Sequence, residues 1–100
     1  MLVITARISA SADAINALTP AIAAMEQASR AEEGCFDYTF CREINDPNTI
    51  RIVERWESEA ALKAHFVTPH MAEFQAAMAQ HELGGVEVSA FEATEVPFPA

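Results

Sequence analysis

The order of alternating and helical segments is the feature that most constrains the fold of this chain. Residues 1–9, 35–44, 49–57 and 86–91 alternate between two kinds of side chain with a period of two, which is typical of strands. The intervening stretches after the first and third segments carry apolar residues every three to four positions, which indicates helices. The pattern therefore predicts the element order β-α-β-β-α-β.

The first helical stretch has recognisable start and stop signals. Ser11 and Asp13 offer capping oxygens at its beginning, and the apolar period continues to about residue 32. Pro20 falls inside the pattern, and we expect a kink there. Gly34 is expected to end the helix, because glycine readily adopts the left-handed backbone conformation that follows many helices.

The second helical stretch is predicted to be two short helices. Ser58 begins one of them, and Pro69 occupies the first position of the other, where its missing amide hydrogen does no harm. We expect the latter helix to reach His81 and to end at the glycines of residues 84–85. Residues 45–48, Asn-Asp-Pro-Asn, have the composition of a turn and predict a hairpin between the second and third strands.

Two split β-α-β units of this kind form an antiparallel four-stranded sheet with helices on one side, so we expect an α+β, ferredoxin-like fold. A chain of 100 residues, 51% of them hydrophobic, is predicted to form one domain over residues 1–100. Its core should span residues 2–92, and residues 96–100 should form a loose tail. The other side of the sheet would be bare in a monomer, which favours a homodimer.

Charge and composition exclude several classes of function. The net charge of −9, with six basic residues that form no cluster, argues against nucleic acid as a partner. The chain has no signal-like start and no apolar run long enough to span a bilayer, so we expect no membrane association and a cytoplasmic location. Cys35 and Cys41 would lie roughly 20 Å apart in one strand, so they are interpreted as small core residues.

Most of the proton-transferring and aromatic groups are gathered around one strand-to-helix junction. The residues are Glu54, Trp56, His65, His70 and Phe74. On the third strand, Glu54 and Trp56 should share a face with Ile50 and Ile52 because side chains alternate along a strand. If the chain has an active site, we expect it at this junction.

These motifs resemble a known family. The pattern consists of residues 32–35 (Glu-Glu-Gly-Cys) with Tyr38, residues 54–58 (Glu-Arg-Trp-Glu-Ser), residues 64–66 (Ala-His-Phe), and residues 68–71 (Thr-Pro-His-Met) with Phe74. It is similar to antibiotic biosynthesis monooxygenase domains, and most closely to small bacterial quinol monooxygenases. The resemblance implies a dimeric α+β barrel with a pocket between sheet and helices in each subunit.

The resemblance also implies a reaction with molecular oxygen that needs no metal or flavin. An electron-rich phenolate or quinolate can itself reduce oxygen, so the protein need only bind, deprotonate and shield a small aromatic substrate. Two differences limit the transfer of mechanism. Relatives that act on polycyclic phenols have Asn and Tyr where this chain has Ile52 and Leu62, and haem-degrading relatives have an Asn that the first strand here lacks.

The candidate site residues fall into two groups. Substrate-binding candidates are Trp56, Phe74, Tyr38 and Ile52, with Trp56 as a flat apolar wall. His70 is the first candidate for a general base because it opens a helix, whose dipole disfavours the imidazolium form, and His65 is the second. Tyr38 could instead lie in a dimer interface.

Glu54 has two interpretations. As a catalytic group it would be a carboxylate with a raised pKa that takes a phenolic proton directly or through an imidazole. As a structural group it would hold His65 or His70, or cap the helix near Pro69. We expect no metal ion, since the two histidines are separated by a proline break and share no continuous helical face.

The function predicted from these residues is cofactor-independent oxidation of a small phenol or quinol by molecular oxygen. Two alternatives remain open. One is an isomerase that acts by enolisation on a small sugar-derived substrate, using the same imidazole and carboxylate. The other is a non-catalytic dimer that binds a small apolar ligand.

Overall fold

The protein folds as a four-stranded antiparallel sheet with its helices on one face. The computed structural model describes residues 1–100, and its elements are β1 (Leu2–Ala10), α1 (Ala12–Arg30), β2 (Cys35–Glu43), β3 (Asp46–Trp56), α2 (Glu59–Phe66), α3 (Pro69–Met78) and β4 (Leu83–Glu92). The strands lie in the order β2-β3-β1-β4. The predicted ferredoxin-like α+β fold is confirmed. None of the helices is long and apolar enough to cross a membrane.

The core lies between the helices and the two central strands. On β3, residues Ile50, Ile52, Glu54 and Trp56 are all at most 8% exposed, so the face predicted for them is confirmed. The register pairs Ile52 with Ala6 and Glu54 with Ile4, which are also buried. Helix α1 starts at Ser11, whose side chain accepts a hydrogen bond from the Ala14 amide, and continues through Pro20.

The hairpin between β2 and β3 is tighter than the sequence predicted. Residues 44 and 45 form the turn, and Asp46 already pairs with Glu43, so the expected turn at residues 45–48 is wrong. The Asp46 carboxylate accepts hydrogen bonds from the Asn48 amide at 3.0 Å and from the Thr49 hydroxyl at 2.6 Å. These bonds hold Asp-Pro-Asn at the start of the strand, where a register irregularity tolerates the proline.

A second irregularity, at the start of β2, changes which side chains face the helices. Cys35 pairs with Trp56 but Asp37 pairs with Arg55, so Phe36 is an extra residue in the ladder. Cys35 consequently packs beside the core, whereas Cys41 is exposed. The expectation that both cysteines are core residues is wrong for Cys41, because the alternation was read without the bulge.

The segment between α3 and β4 also differs from the prediction. Helix α3 ends at Met78, His81 lies in the following turn, and the glycines at 84 and 85 belong to β4. A Cβ atom at Gly84 would lie 3.0 Å from the Ser9 Cβ and 3.2 Å from the Ser9 carbonyl oxygen. Gly84 therefore permits close packing of two strands where their register shifts, and does not end the helix.

Gly34 fixes the loop that leads from α1 into the sheet. The helix ends at Arg30, earlier than expected, and Gly34 adopts a φ of 81°. The Gly34 carbonyl oxygen accepts a hydrogen bond from the Glu57 amide at 2.7 Å. A Cβ at this position would lie only 2.8 Å from the Ala61 Cβ. The loop is therefore pressed against the corner between β3 and α2.

We predict that Gly34→Ala lowers the free energy of unfolding by about 1–3 kcal/mol, because alanine would meet both a disfavoured backbone conformation and Ala61. Gly85→Ala is the matched control, since a Cβ there has no neighbour within 4 Å. Urea denaturation of both variants is the measurement. Equal stability of the two variants would contradict the role given to Gly34.

Candidate active site

One carboxylate oxygen, Glu32 Oε2, contacts both of the histidines that the sequence singled out. It lies 2.6 Å from His65 Nδ1 and 2.8 Å from His70 Nε2. The His65 side chain is 1% exposed, that of Glu32 14% and that of His70 20%. We call these three residues the Glu32–His65–His70 triad. Sequence reasoning named both histidines as candidates but gave Glu32 no role beyond its place in a family motif.

The loop of residues 31–34 places Glu32 at the triad. The Glu32 amide donates to the Ser29 carbonyl at 3.0 Å, and the Glu32 carbonyl accepts from the Cys35 amide at 3.2 Å. Gly34 then ties the end of the loop to Glu57, as described above. Both sides of Glu32 are thus held by backbone hydrogen bonds, and its side chain is directed at α2 and α3.

The junction of α2 and α3 brings the two imidazoles together. Thr68 caps α3 by accepting from the Met71 amide, while its hydroxyl donates to the His65 carbonyl at 2.8 Å. His65 lies in the last turn of α2 and His70 in the first turn of α3, with ring centroids 5.8 Å apart. The histidines share no helical face, as expected, but the change of helix direction makes their rings neighbours.

Aromatic side chains enclose the His65 ring. Its centroid lies 5.0 Å from that of Trp56 and 5.2 Å from that of Tyr38. Trp56 is fully buried and Tyr38 nearly so, and the two rings meet edge to face. Tyr38 therefore lies in the interior of the single chain. His65 is the imidazole in contact with this aromatic cluster, and His70 lies on its outer side, nearer to solvent.

Glu54 is bound to Trp56 and not to the histidines. Its Oε1 accepts a hydrogen bond from the Trp56 indole Nε1 at 2.9 Å. Burial raises the pKa of Glu54, while the indole hydrogen bond and the nearby His65 partly oppose that effect. The structural alternatives for Glu54 are wrong, since Glu32 holds the imidazoles and Thr68 caps α3.

Tyr38 has its own perturbed environment. Burial raises the pKa of its phenol far above the ordinary value, and the carboxylates of Glu54 and Glu32 act in the same direction. The side chain therefore remains a neutral phenol at physiological pH. The Tyr38 and Trp56 rings together form the largely apolar environment of the His65 ring.

A small apolar cavity lies in the core, and its lining includes Phe74 but none of the triad residues, Trp56 or Tyr38. A cavity of about 10 Å³, the size of a single water molecule, lies between sheet and helices. Its lining is entirely apolar: Ile8, Ala10, Leu18, Ile22, Phe40, Ile50, Phe74, Met78 and Leu83. Phe74 thus borders the cavity, whereas Ile52 is not part of its lining and packs with Ala6 and Ile8. A wider cleft of about 920 Å³ lies around the N-terminus of α1 and has a mostly polar lining, away from the triad.

Comparison with known proteins gives the family. A family model described as antibiotic biosynthesis monooxygenase matches residues 1–77. The chain belongs to the antibiotic biosynthesis monooxygenase family. The resemblance inferred from the motifs around residues 32–74 is therefore confirmed.

Two curated relatives match about half of the chain. The Bacillus subtilis protein named "Putative monooxygenase YcnE" is 42% identical over 50 residues, which are 50% of this chain and 53% of that protein. The Synechocystis protein sll1783, whose function is uncharacterised, is 41% identical over 46 residues, 46% of this chain and 31% of its own length. The matched stretches thus span about a third to a half of these relatives.

Solved structures share the fold over nearly the whole chain. A crystal structure from Deinococcus radiodurans with the same family description has a TM-score of 0.89 at 25% identity, covering 100% of this chain and 99% of that one. The PA3566 structure from Pseudomonas aeruginosa has a TM-score of 0.83 at 28% identity, with 94% of each chain covered. The antibiotic biosynthesis monooxygenase fold therefore extends past the residues that the family model matches.

Proposed function

We propose that this protein is a cofactor-independent monooxygenase that oxidises a small phenolic or quinol substrate with molecular oxygen. The observation that carries the proposal is the His65 imidazole, which is 1% exposed, lies against Trp56 and Tyr38, and is held by Glu32. Membership of a monooxygenase family supports the reaction class.

His65 is the proposed general base. An ionised Glu32 carboxylate can only accept hydrogen bonds, so the His65 nitrogen in contact with it, Nδ1, carries the hydrogen. The other nitrogen, Nε2, then has a free lone pair that can take the substrate's phenolic proton. Glu32 fixes this tautomer and stabilises the imidazolium that forms.

His70 and Glu54 have supporting roles in the proposal. His70 shares Glu32 Oε2 with His65 and is partly exposed, so it can pass a proton between the buried triad and solvent. Glu54 orients the Trp56 indole through their hydrogen bond, and its raised pKa lets it act as a second proton acceptor. Trp56 presents a flat wall for the substrate ring.

The proposed chemistry needs no group beyond substrate and oxygen. Deprotonation by His65 makes a phenolate, which transfers one electron to oxygen. The resulting phenoxyl radical and superoxide combine through a new carbon–oxygen bond, and protonation gives a hydroperoxide whose oxygen–oxygen bond then breaks. Loss of water leaves a quinone, so one oxygen atom enters the substrate and the other ends in water. A low-dielectric surround shields the reactive intermediates from side reactions.

Substrate entry requires a change at the apolar cavity. A single aromatic ring is much larger than the space of about 10 Å³ beside Phe74, so α3 or its side chains must move when substrate binds. Met71 and Met78 are partly buried around this region and have flexible, unbranched side chains that can repack. We propose that the ring enters next to Phe74 and reaches His65 along the face of Tyr38.

We also propose that the protein acts as a homodimer, joined through the face of the sheet away from the helices. That face carries Val3, Val53 and Phe91, and Phe91 is 55% exposed. A second copy would cover these apolar side chains. Sedimentation should give twice the chain mass of 10.9 kDa, and a monomeric species at micromolar concentration would contradict the dimer.

We predict saturable oxygen uptake when chelator-treated protein is given a panel of hydroquinones and phenols, above the rate of their autoxidation. His65→Ala should lower kcat by about 100-fold or more, because a positioned base contributes about 10²–10⁴-fold. Glu32→Ala should lower kcat as well, because the substitution removes the carboxylate that fixes the tautomer and the orientation of the His65 ring.

Matched controls are available for both changes. Glu33→Ala alters an exposed neighbouring carboxylate and His81→Ala alters a histidine outside the triad, so both should retain the wild-type rate. Absence of uptake with every substrate would remove the oxygenase hypothesis. Full activity in a His65→Ala, His70→Ala double variant would show that the imidazoles are only structural.

A further inference from the structure

We propose that the Glu32–His65–His70 triad is also a binding site for a divalent transition-metal ion, with Zn²⁺ the best match. The three donor atoms, Glu32 Oε2, His65 Nδ1 and His70 Nε2, all lie within 4.8 Å of one another. Two imidazole nitrogens and one carboxylate oxygen are a ligand set that zinc proteins use, with a fourth position left for water. This site goes beyond the proposed oxidation, which uses the same side chains without a metal.

The carboxylate and the imidazoles must shift towards a shared ion position before they can ligate a metal. In a tetrahedral site with bonds of about 2.0–2.1 Å, ligand atoms lie roughly 3.3–3.5 Å apart. Glu32 Oε2 is 2.6 and 2.8 Å from the two nitrogens, so the carboxylate must withdraw by less than about 1 Å. Glu32 lies in a loop and can make this movement by rotating its side chain. The two nitrogens, which lie within 4.8 Å of each other, reach the required spacing by rotation of the partly exposed His70 ring.

Metal binding would not change the number of hydrogens on the two imidazole rings. In the tautomers that donate to a Glu32 carboxylate, each imidazole carries its ring hydrogen on the nitrogen that faces Glu32. On metal binding, this hydrogen moves to the other nitrogen of the same ring, and the freed lone pair ligates the ion. The rings stay neutral, and the carboxylate keeps its negative charge.

The surroundings favour a cation at this point. Trp56 and Tyr38 pack against His65 and prevent its ring from turning away. The Glu54 carboxylate lies close enough to interact with both Glu32 and His65, and the chain carries a net charge of −9. His70 and Glu32 are partly exposed, which provides a route for the ion and for a water molecule at the fourth position.

Sequence reasoning argued against this site for one reason, the proline break between the two histidines. The structure has that break, but the two rings lie only 5.8 Å apart across it, so the break does not keep them from facing a common ion. A bound ion would occupy the nitrogens whose hydrogens Glu32 now accepts. It would therefore suppress the proposed proton transfer and act as an inhibitor of the oxidation.

Titration of chelator-treated protein with Co²⁺ tests the site without reference to activity. We expect the visible d–d absorption of four-coordinate Co²⁺ to saturate at one equivalent and to be abolished by added Zn²⁺. His70→Ala should weaken binding by at least about 10–100-fold, the loss seen when even a supporting partner of a metal ligand is removed. His81→Ala should bind like wild type, because His81 lies outside the triad.

Glu32→Gln is a second variant in case His70→Ala does not fold, as judged by circular dichroism. Glutamine keeps an oxygen near the imidazoles but removes the negative charge, so we expect the same weakening. Absence of the d–d absorption in wild-type protein would overturn the proposal. Binding that survives His70→Ala or Glu32→Gln in folded protein, or that is lost in His81→Ala, would overturn it as well.

Discussion

The hydrogen bonds from two imidazoles to one oxygen of Glu32 are the interaction on which the candidate site depends. They join three separate segments: the loop after α1, the end of α2 and the start of α3. Gly34 makes this possible by letting the loop press against Ala61, and Thr68 makes it possible by ending one helix and starting another. Without the shared carboxylate, two buried or half-buried imidazoles would lack an acceptor, at a cost of about 1–3 kcal/mol for each unsatisfied group.

Strand periodicity was sufficient to predict one side of the site. Glu54 and Trp56 occur two residues apart in an alternating segment, so their common buried face follows from the pleat of a strand. The hydrogen bond between their side chains is local and agrees with that spacing. The fold could also be predicted from the sequence, because the order of the periodic segments leaves few ways to pair four strands.

The role of Glu32 could not be predicted from the periodicity of the sequence. Glu32 contacts His65 and His70, which follow it by 33 and 38 positions in the sequence. The contacts also depend on the path of the loop that Gly34 shapes. Periodicity also gave no sign of the extra residue at Phe36, so Cys41 was predicted to be buried but is exposed. It did not reveal that Gly84 permits close packing of two strands. These errors have a common physical cause: each concerns an irregularity set by tertiary contacts.

The measurement that tests the central claim most directly is the tautomer of each imidazole, read from long-range ¹H–¹⁵N NMR of metal-free protein at neutral pH. The shared Glu32 oxygen requires His65 to carry its hydrogen on Nδ1 and His70 on Nε2. In Glu32→Ala both rings should lose this preference, while Glu33→Ala should keep it. A wild-type spectrum with His65 protonated only on Nε2, or His70 only on Nδ1, would contradict the shared carboxylate and the site built on it.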